Sequence, residues 1–256
     1  MASGTGRRAA LEGVAALGPF FAVSANPAEE VDPSWTPWRR FYHDPTLMAA
    51  RVGLVARTLG TADRRVAASI ALQGLAARLV SPLIAVAAVY RLVPSWTPES
   101  LHWRLAVSGP WPMWESAPER SSGRSASEGP DDAESPDDAE LAGAVCAALV
   151  EPHLAALVQV TRAVEPVSGR VLRGNVASAV AAAAAMVARA RPDVAGTAAA
   201  IVTDLLESGL LTGTGGFETA WSFRRRSCCL YYRIPGGGTC GDCVLALSRR
   251  HADARG

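Results

Sequence analysis

The 256-residue chain is 49% hydrophobic and 19% charged, with a formal net charge of +1. That leaves ample apolar material for a buried core, and a near-neutral balance excludes a general nucleic-acid binder, which needs a basic surface to neutralise phosphates. The basic residues are all arginines, 25 of them. Without lysine, Schiff-base catalysis, a phosphate-loop lysine and a kinase strand lysine are excluded.

Taken in chain order, the elements are mostly helical. Arg7-Arg8 ahead of AALEGVAALGPFFAV has the outline of an export signal, but Glu12 interrupts the apolar run and the spacing suits an amphipathic helix. Asp44-Pro45 supplies a cap and a first-turn proline for a helix through Val55, with Gly60 at its exit. Thr61 is expected to cap a second helix through Leu75, and Ser81-Pro82 to start a third toward Tyr90. Alternation in Leu101 to Val107 predicts a short half-buried strand.

Helices are predicted again over 141–150, 153–164, 171–191 and 194–207, with Ser168 and Asp193 as caps and Gly209 as a stop. FETAWSF, after Gly213 to Gly216, reads as a strand. Gly213 to Gly216 lacks the surroundings of a phosphate loop. Val66 to Tyr90 and Val176 to Ala190 are interrupted by Gln73, Arg78 and Arg189, short of a clean bilayer span of about 20 residues.

The expected fold class is therefore mainly α with a few short strands (α+β), a helical body followed by a small C-terminal metal-binding segment. Four regions are expected: 1–114, helical with a strand section; 115–140, an acidic linker or insertion; 141–216, helical; and 217–256, the cysteine segment. The stretch 115–140 holds nine acidic residues against two arginines and no aromatic or branched aliphatic side chain. It cannot bury enough surface to offset the entropy of ordering it.

Chemistry concentrates in RRRSCCLYYRIPGGGTCGDC, residues 224–243. Of five cysteines, Cys228, Cys229, Cys240 and Cys243 crowd this segment and Cys146 lies alone. An odd count gathered at one end is not a secreted disulfide framework. The Cys240–Cys243 spacing lets two thiolates close on one metal. Neighbouring side chains diverge in extended backbone, so Cys228 and Cys229 need a local bend, and the glycines are expected to bring N–H groups to sulfur. On spacing alone, zinc and iron–sulfur stand level.

The segment resembles the C-terminal signature of the ferric-siderophore reductases of the FhuF type: arginines before an adjacent cysteine pair, Tyr-Arg, a glycine loop, then Cys-Gly-Asp-Cys. ALGPFFAV near the start and RGNVASA, Arg173 to Ala179, resemble that family more weakly. The resemblance implies a [2Fe–2S] cluster on Cys228, Cys229, Cys240 and Cys243. It also implies one-electron reduction of siderophore-bound Fe(III) to Fe(II), releasing iron in the cytoplasm. Anionic oxygen donors hold Fe(II) far less tightly than Fe(III), so one electron loosens the chelate.

The implied partners are a ferric siderophore, hydroxamates included, and an external electron donor such as a ferredoxin or a reductase. No nucleic acid is expected, and the inner membrane face is a candidate peripheral contact. The rival class is a siderophore- or partner-binding protein whose zinc or iron–sulfur site is only structural. No motif marks catalytic or siderophore-pocket residues.

A cluster gains negative charge on reduction, so Arg224, Arg225, Arg226 and Arg233 would raise its potential or dock an acidic donor, unless they form a solvated edge. Trp35, Trp38, Trp96, Trp103, Trp111 and Trp114 read as core packing before they read as a pocket. His43, His102, His153 and His251 lack metal-ligand spacing. Asn175 faces a pocket or a hydrogen-bonding neighbour, and Cys146 is a buried small hydrophobe.

Overall fold

Caps and apolar spacing set where the helices begin, and burial decides how far they run. The computed structural model describes residues 4–106, 108–116 and 136–245. The mainly α expectation holds: eight α-helices among the described residues are accompanied by five strands of two to five residues. Helix α1 spans Gly4–Ala15, α2 Trp38–His43 and α3 Pro45–Thr58, the last capped by Asp44 as predicted, with Gly60 following in the left-handed region.

Helix α4, Arg64–Tyr90, departs from expectation. It is one helix of 27 residues, capped by Asp63 rather than Thr61, and it runs straight through Pro82. An interior proline removes a hydrogen bond and normally breaks a helix. Here Val80 to Ala88 are buried without interruption, and that packing outweighs the local break.

Arg78, in the same helix, is buried and donates to the carbonyls of Phe20 (2.7 Å), Ala22 and Trp111 (2.6 Å). Burial pulls its pKa down to about 10, so it stays charged at neutral pH and ties the loop after α1 to the core.

The second half shows the same override. A capping box at Asp137 and Glu140 starts α5, Asp138–Leu149. A π-helical turn, Val150–Ala155, carries the chain past Pro152 directly into α6, Ala156–Val164, where two separate helices were expected. Widening the turn accommodates a residue that has no N–H to give. Helix α7, Gly169–Ala190, is capped by Ser168 as predicted. Helix α8, Ala195–Glu207, follows a short 3-10 turn and has no side-chain cap. Asp193 instead pairs with Arg191 at 2.6 Å.

The long α4 lies along α7; α3 and α6 touch each other and α4, while α5 and α8 pair with each other and also meet α4. Alanines on both central helices allow close approach, and one continuous core runs through all of them. Helices α4 and α7 and the α5–α6 unit are long and apolar enough to cross a membrane by length and composition. In this fold they spend much of that apolar surface on one another.

Strands β1 (Thr36–Pro37), β2 (Leu101–Trp103) and β3 (Met113–Glu115) form an antiparallel sheet in that order. The predicted strand thus shortens to three residues, and Val107 lies outside the described residues. The six N-terminal tryptophans are all buried, with Trp103 and Trp111 stacked at 4.5 Å; they are core. His153 is buried too, its Nδ1 2.8 Å from the Tyr42 hydroxyl.

Both ends of the expected 115–140 linker belong to the fold. Glu115 is a buried strand residue paired with Arg7 at 3.3 Å, and Asp138 to Glu140 open α5. Residues 117–135 lie outside the described residues, and so does His251.

Candidate metal centre

Strands β4 (Gly215–Thr219) and β5 (Ser222–Arg225) form a hairpin where a single strand was expected. In β5, alternate side chains point to opposite faces. Phe223 and Arg225 therefore turn inward and are buried, while Arg224 is half-buried and Arg226 is exposed. The three arginines are not equivalent.

After β5 the chain reaches Cys228 and Cys229. Leu230 follows in the left-handed region at φ 70°, which is the bend that an adjacent pair requires. Its N–H lies 3.3 Å from Cys228 Sγ. A 3-10 turn, Tyr231–Arg233, and a glycine loop with Gly236 and Gly238 at positive φ return the chain to Cys240. The Cys243 N–H donates to the Cys240 carbonyl at 3.1 Å, closing the knuckle. The Leu245 N–H lies 3.4 Å from Cys243 Sγ. Among the described residues, backbone donors thus reach sulfur from Leu230, Leu245 and Tyr231; the glycines serve the turn.

Arg225 binds the segment together. Its Nη2 donates to Cys240 Sγ at 2.6 Å and to Asp242 Oδ1 at 2.9 Å, and its Nε lies 2.8 Å from Asp242 Oδ2. Nη1 donates to Asn175 Oδ1 on α7 at 2.6 Å. The Asn175 amide donates in turn to the Ser69 carbonyl and hydroxyl on α4, at 2.8 and 2.7 Å. Ser69 Oγ then donates to the Cys229 carbonyl at 2.7 Å.

Both cysteine loops are thereby seated on the two central helices. Of the two expectations for Asn175, the hydrogen-bonding neighbour is what the structure shows. Gly174 makes room for this seat, since a Cβ there would lie 2.2 Å from Ser227 Oγ. Around it, Arg224 holds the Cys243 carbonyl (2.8 Å) and Glu218, and Arg233 pairs with Asp63 at 2.8 Å.

All four thiols are free. Among the described residues, no three His, Cys, Asp or Glu side chains converge as a single ion requires. The one close pair is Cys229 and Cys240, with sulfurs 3.5 Å apart. Two thiolates sharing a tetrahedral metal at about 2.3 Å stand about 3.7 Å apart, so the spacing of this pair suits one metal ion. Cys228 and Cys243 sit on the same two loops, next to the first member and three residues beyond the second.

The electrostatics agree. One proton leaves the Cys229–Cys240 pair readily, because the partner's S–H hydrogen bond and the Arg225 charge stabilise a thiolate. The second is held, first because the Cys240 S–H donates to the Cys229 sulfur and then because burial disfavours a second charge. Burial pushes the Cys228 thiol up. Metal binding must therefore displace protons here. Burial opposes the Arg225 charge, but Asp242 and the thiols together outweigh it.

Cys146 stands apart on α5, half-buried and 3.4 Å from Asp204. Sequence reasoning did not single out Ser69 or Asp242. Asp242 lay inside the quoted motif, between two cysteines, and was passed over.

A helical body thus carries a compact loop pair with four cysteines, anchored by a buried arginine. Residues 225–245 match the family model of the FhuF 2Fe-2S C-terminal domain, a span that begins at Arg225 and includes all four cysteines. The FhuF-type resemblance holds there, and the segment is a [2Fe–2S] site. Comparison with curated proteins gave no match.

Proposed function

We propose that this protein is a cytoplasmic ferric-siderophore reductase, with Cys228, Cys229, Cys240 and Cys243 as the cluster ligands. A bound [2Fe–2S] cluster supplies one electron at a time, which matches the single electron that turns chelated Fe(III) into Fe(II). The electron comes from an external donor, and no covalent bond of the siderophore has to break. The chain's own residues hold the ligands through Arg225, Asn175 and Ser69, and offer a place for the chelate.

That place is a cavity of about 590 Å³ between α7 and the β4–β5 hairpin, within the size range of small-molecule sites. Its lining includes Ala181 and Ala185 of α7, Trp221 and Phe223 of the hairpin, and Gly241 and Asp242 of the knuckle. The observation that carries the proposal is that last pair. The two residues between Cys240 and Cys243 face the cavity, so an occupant sits one residue away from two ligands.

Among the described residues, the only ionisable side chain in its lining is Asp242, already engaged by Arg225. Without a cationic side chain in the lining, the cavity suits a neutral or cationic chelate, such as a ferric hydroxamate, over a trianionic catecholate. Free thiols throughout the chain fit a reducing compartment.

The test is a single turnover. Anaerobic protein, reduced with dithionite and freed of excess reductant, is mixed with a ferric trihydroxamate and an Fe(II)-trapping chelator. About one Fe(II) per chain should be trapped as the cluster reoxidises, and Trp221→Ala should slow that step with cluster content unchanged. A cluster that stays reduced beside the chelate would favour the rival reading, a binding protein with a structural site.

A further inference from the structure

Four arginines beside the first cysteine loop have no part in the seat just described. Arg162, in the last turn of α6, and Arg173, on α7, reach over the same spot, each with Nη1 3.9 Å from where a Cβ on Gly169 would lie. Arg170 donates through Nη2 to the Arg226 carbonyl at 3.2 Å, and Ser227 Oγ donates to the Arg170 carbonyl at 3.1 Å. The partly exposed Cys228 is the next residue.

All four arginines are exposed. Among the described residues, none forms an ion pair. The nearest carboxylate along α6, Glu165, is taken by Arg64. Glu207 shares a second cleft with Arg226 but stands beyond ion-pair distance.

We infer that Arg162, Arg170, Arg173 and Arg226 form the docking surface for a small acidic electron-transfer protein that reduces the cluster from the Cys228 side. The inference rests on the reductase reading and adds its direction. Electrons enter near the start of α7, at Arg170 and Arg173. The chelate cavity opens further along the same helix, about 12 Å from Arg173 to Ala181 at 1.5 Å per residue. Donor and substrate thus need not compete for one face. Uncompensated positive charge around one ligand serves an acidic donor, whereas a lipid surface or a nucleic acid has no need of proximity to Cys228.

The variant Arg162→Glu/Arg173→Glu tests it, because neither side chain holds a hydrogen bond within the described fold. The probe is pre-reduced plant-type ferredoxin, a strongly acidic protein, mixed with the oxidised holoprotein by stopped flow. At low ionic strength the bimolecular rate should fall roughly tenfold or more, and the gap should close at high salt. Iron content, visible spectrum and reduction by dithionite should stay unchanged.

Arg57→Glu/Arg189→Glu, with the same change in net charge elsewhere, should leave the rate near that of the parent. An unchanged rate in the first variant, or an equal fall in the second, overturns the docking surface. So does a parent protein that floats with phosphatidylglycerol vesicles and loses that binding in the first variant while its ferredoxin rate holds. A cluster that dithionite cannot reduce brings down the reductase reading itself, and is distinguished by that result.

Discussion

Arg225→Ala should cost the protein its cluster and destabilise the whole C-terminal segment. The side chain is fully buried and joins Cys240, Asp242 and Asn175 at once. Removing one partner of a buried ion pair costs about 3–5 kcal/mol, because the other charge is left without compensation. Asp242 would be that charge, and the Asn175 carbonyl would lose its donor as well.

Arg225→Lys retains a charge but not the planar fork that reaches three partners. It should keep part of the cluster at a lower thermal midpoint. Iron analysis and thermal unfolding of the two variants measure this directly. Full cluster content with an unchanged midpoint in Arg225→Ala would show that the arginine is a bystander. Replacing Arg224, Arg225 and Arg226 together cannot isolate a charge effect on potential, since among them it is Arg225 that touches a cysteine sulfur, and its loss removes the seat.

Single serine replacements of Cys228, Cys229, Cys240 and Cys243 should each lose or severely weaken the cluster. The largest loss is expected at Cys229 and Cys240, which already stand at the bite of one metal. Cys146→Ser should retain full iron content. Its thiol is pushed up to about 12, first by burial and then by Asp204, and it lies on α5 away from the two loops. Visible absorbance and iron per chain decide both halves. A Cys229→Ser protein with an unchanged spectrum would require another ligand in its place.

Periodicity and caps made most helices legible, and they misled at the prolines. Pro82 and Pro152 carry the ordinary local signal for a break, but Pro82 lies in a stretch buried without interruption and Pro152 between the buried pairs Leu149–Val150 and His153–Leu154. The information that overrides them is in distant residues. The cysteines were legible because spacing alone matters for sharing a metal, and the bend after Cys229 followed from their adjacency.

The seat was not legible. Ser69 meets Cys229 across 160 residues and Asn175 meets Arg225 across 50, distances over which no local pattern reports. Arg225 was the exception that period-two reasoning could have found. Once Phe223 is assigned to the inner face of a strand, Arg225 shares that face, and a run of three arginines stops being a uniform solvated edge.

The most direct measurement is the cofactor itself: visible spectrum, electron paramagnetic resonance after reduction, and iron and acid-labile sulfide analysis of the protein purified without oxygen. The expected result is a brown protein with about two irons and two sulfides per chain, giving the resonance of a one-electron-reduced [2Fe–2S] centre. A colourless protein holding one zinc on the same cysteines would contradict it.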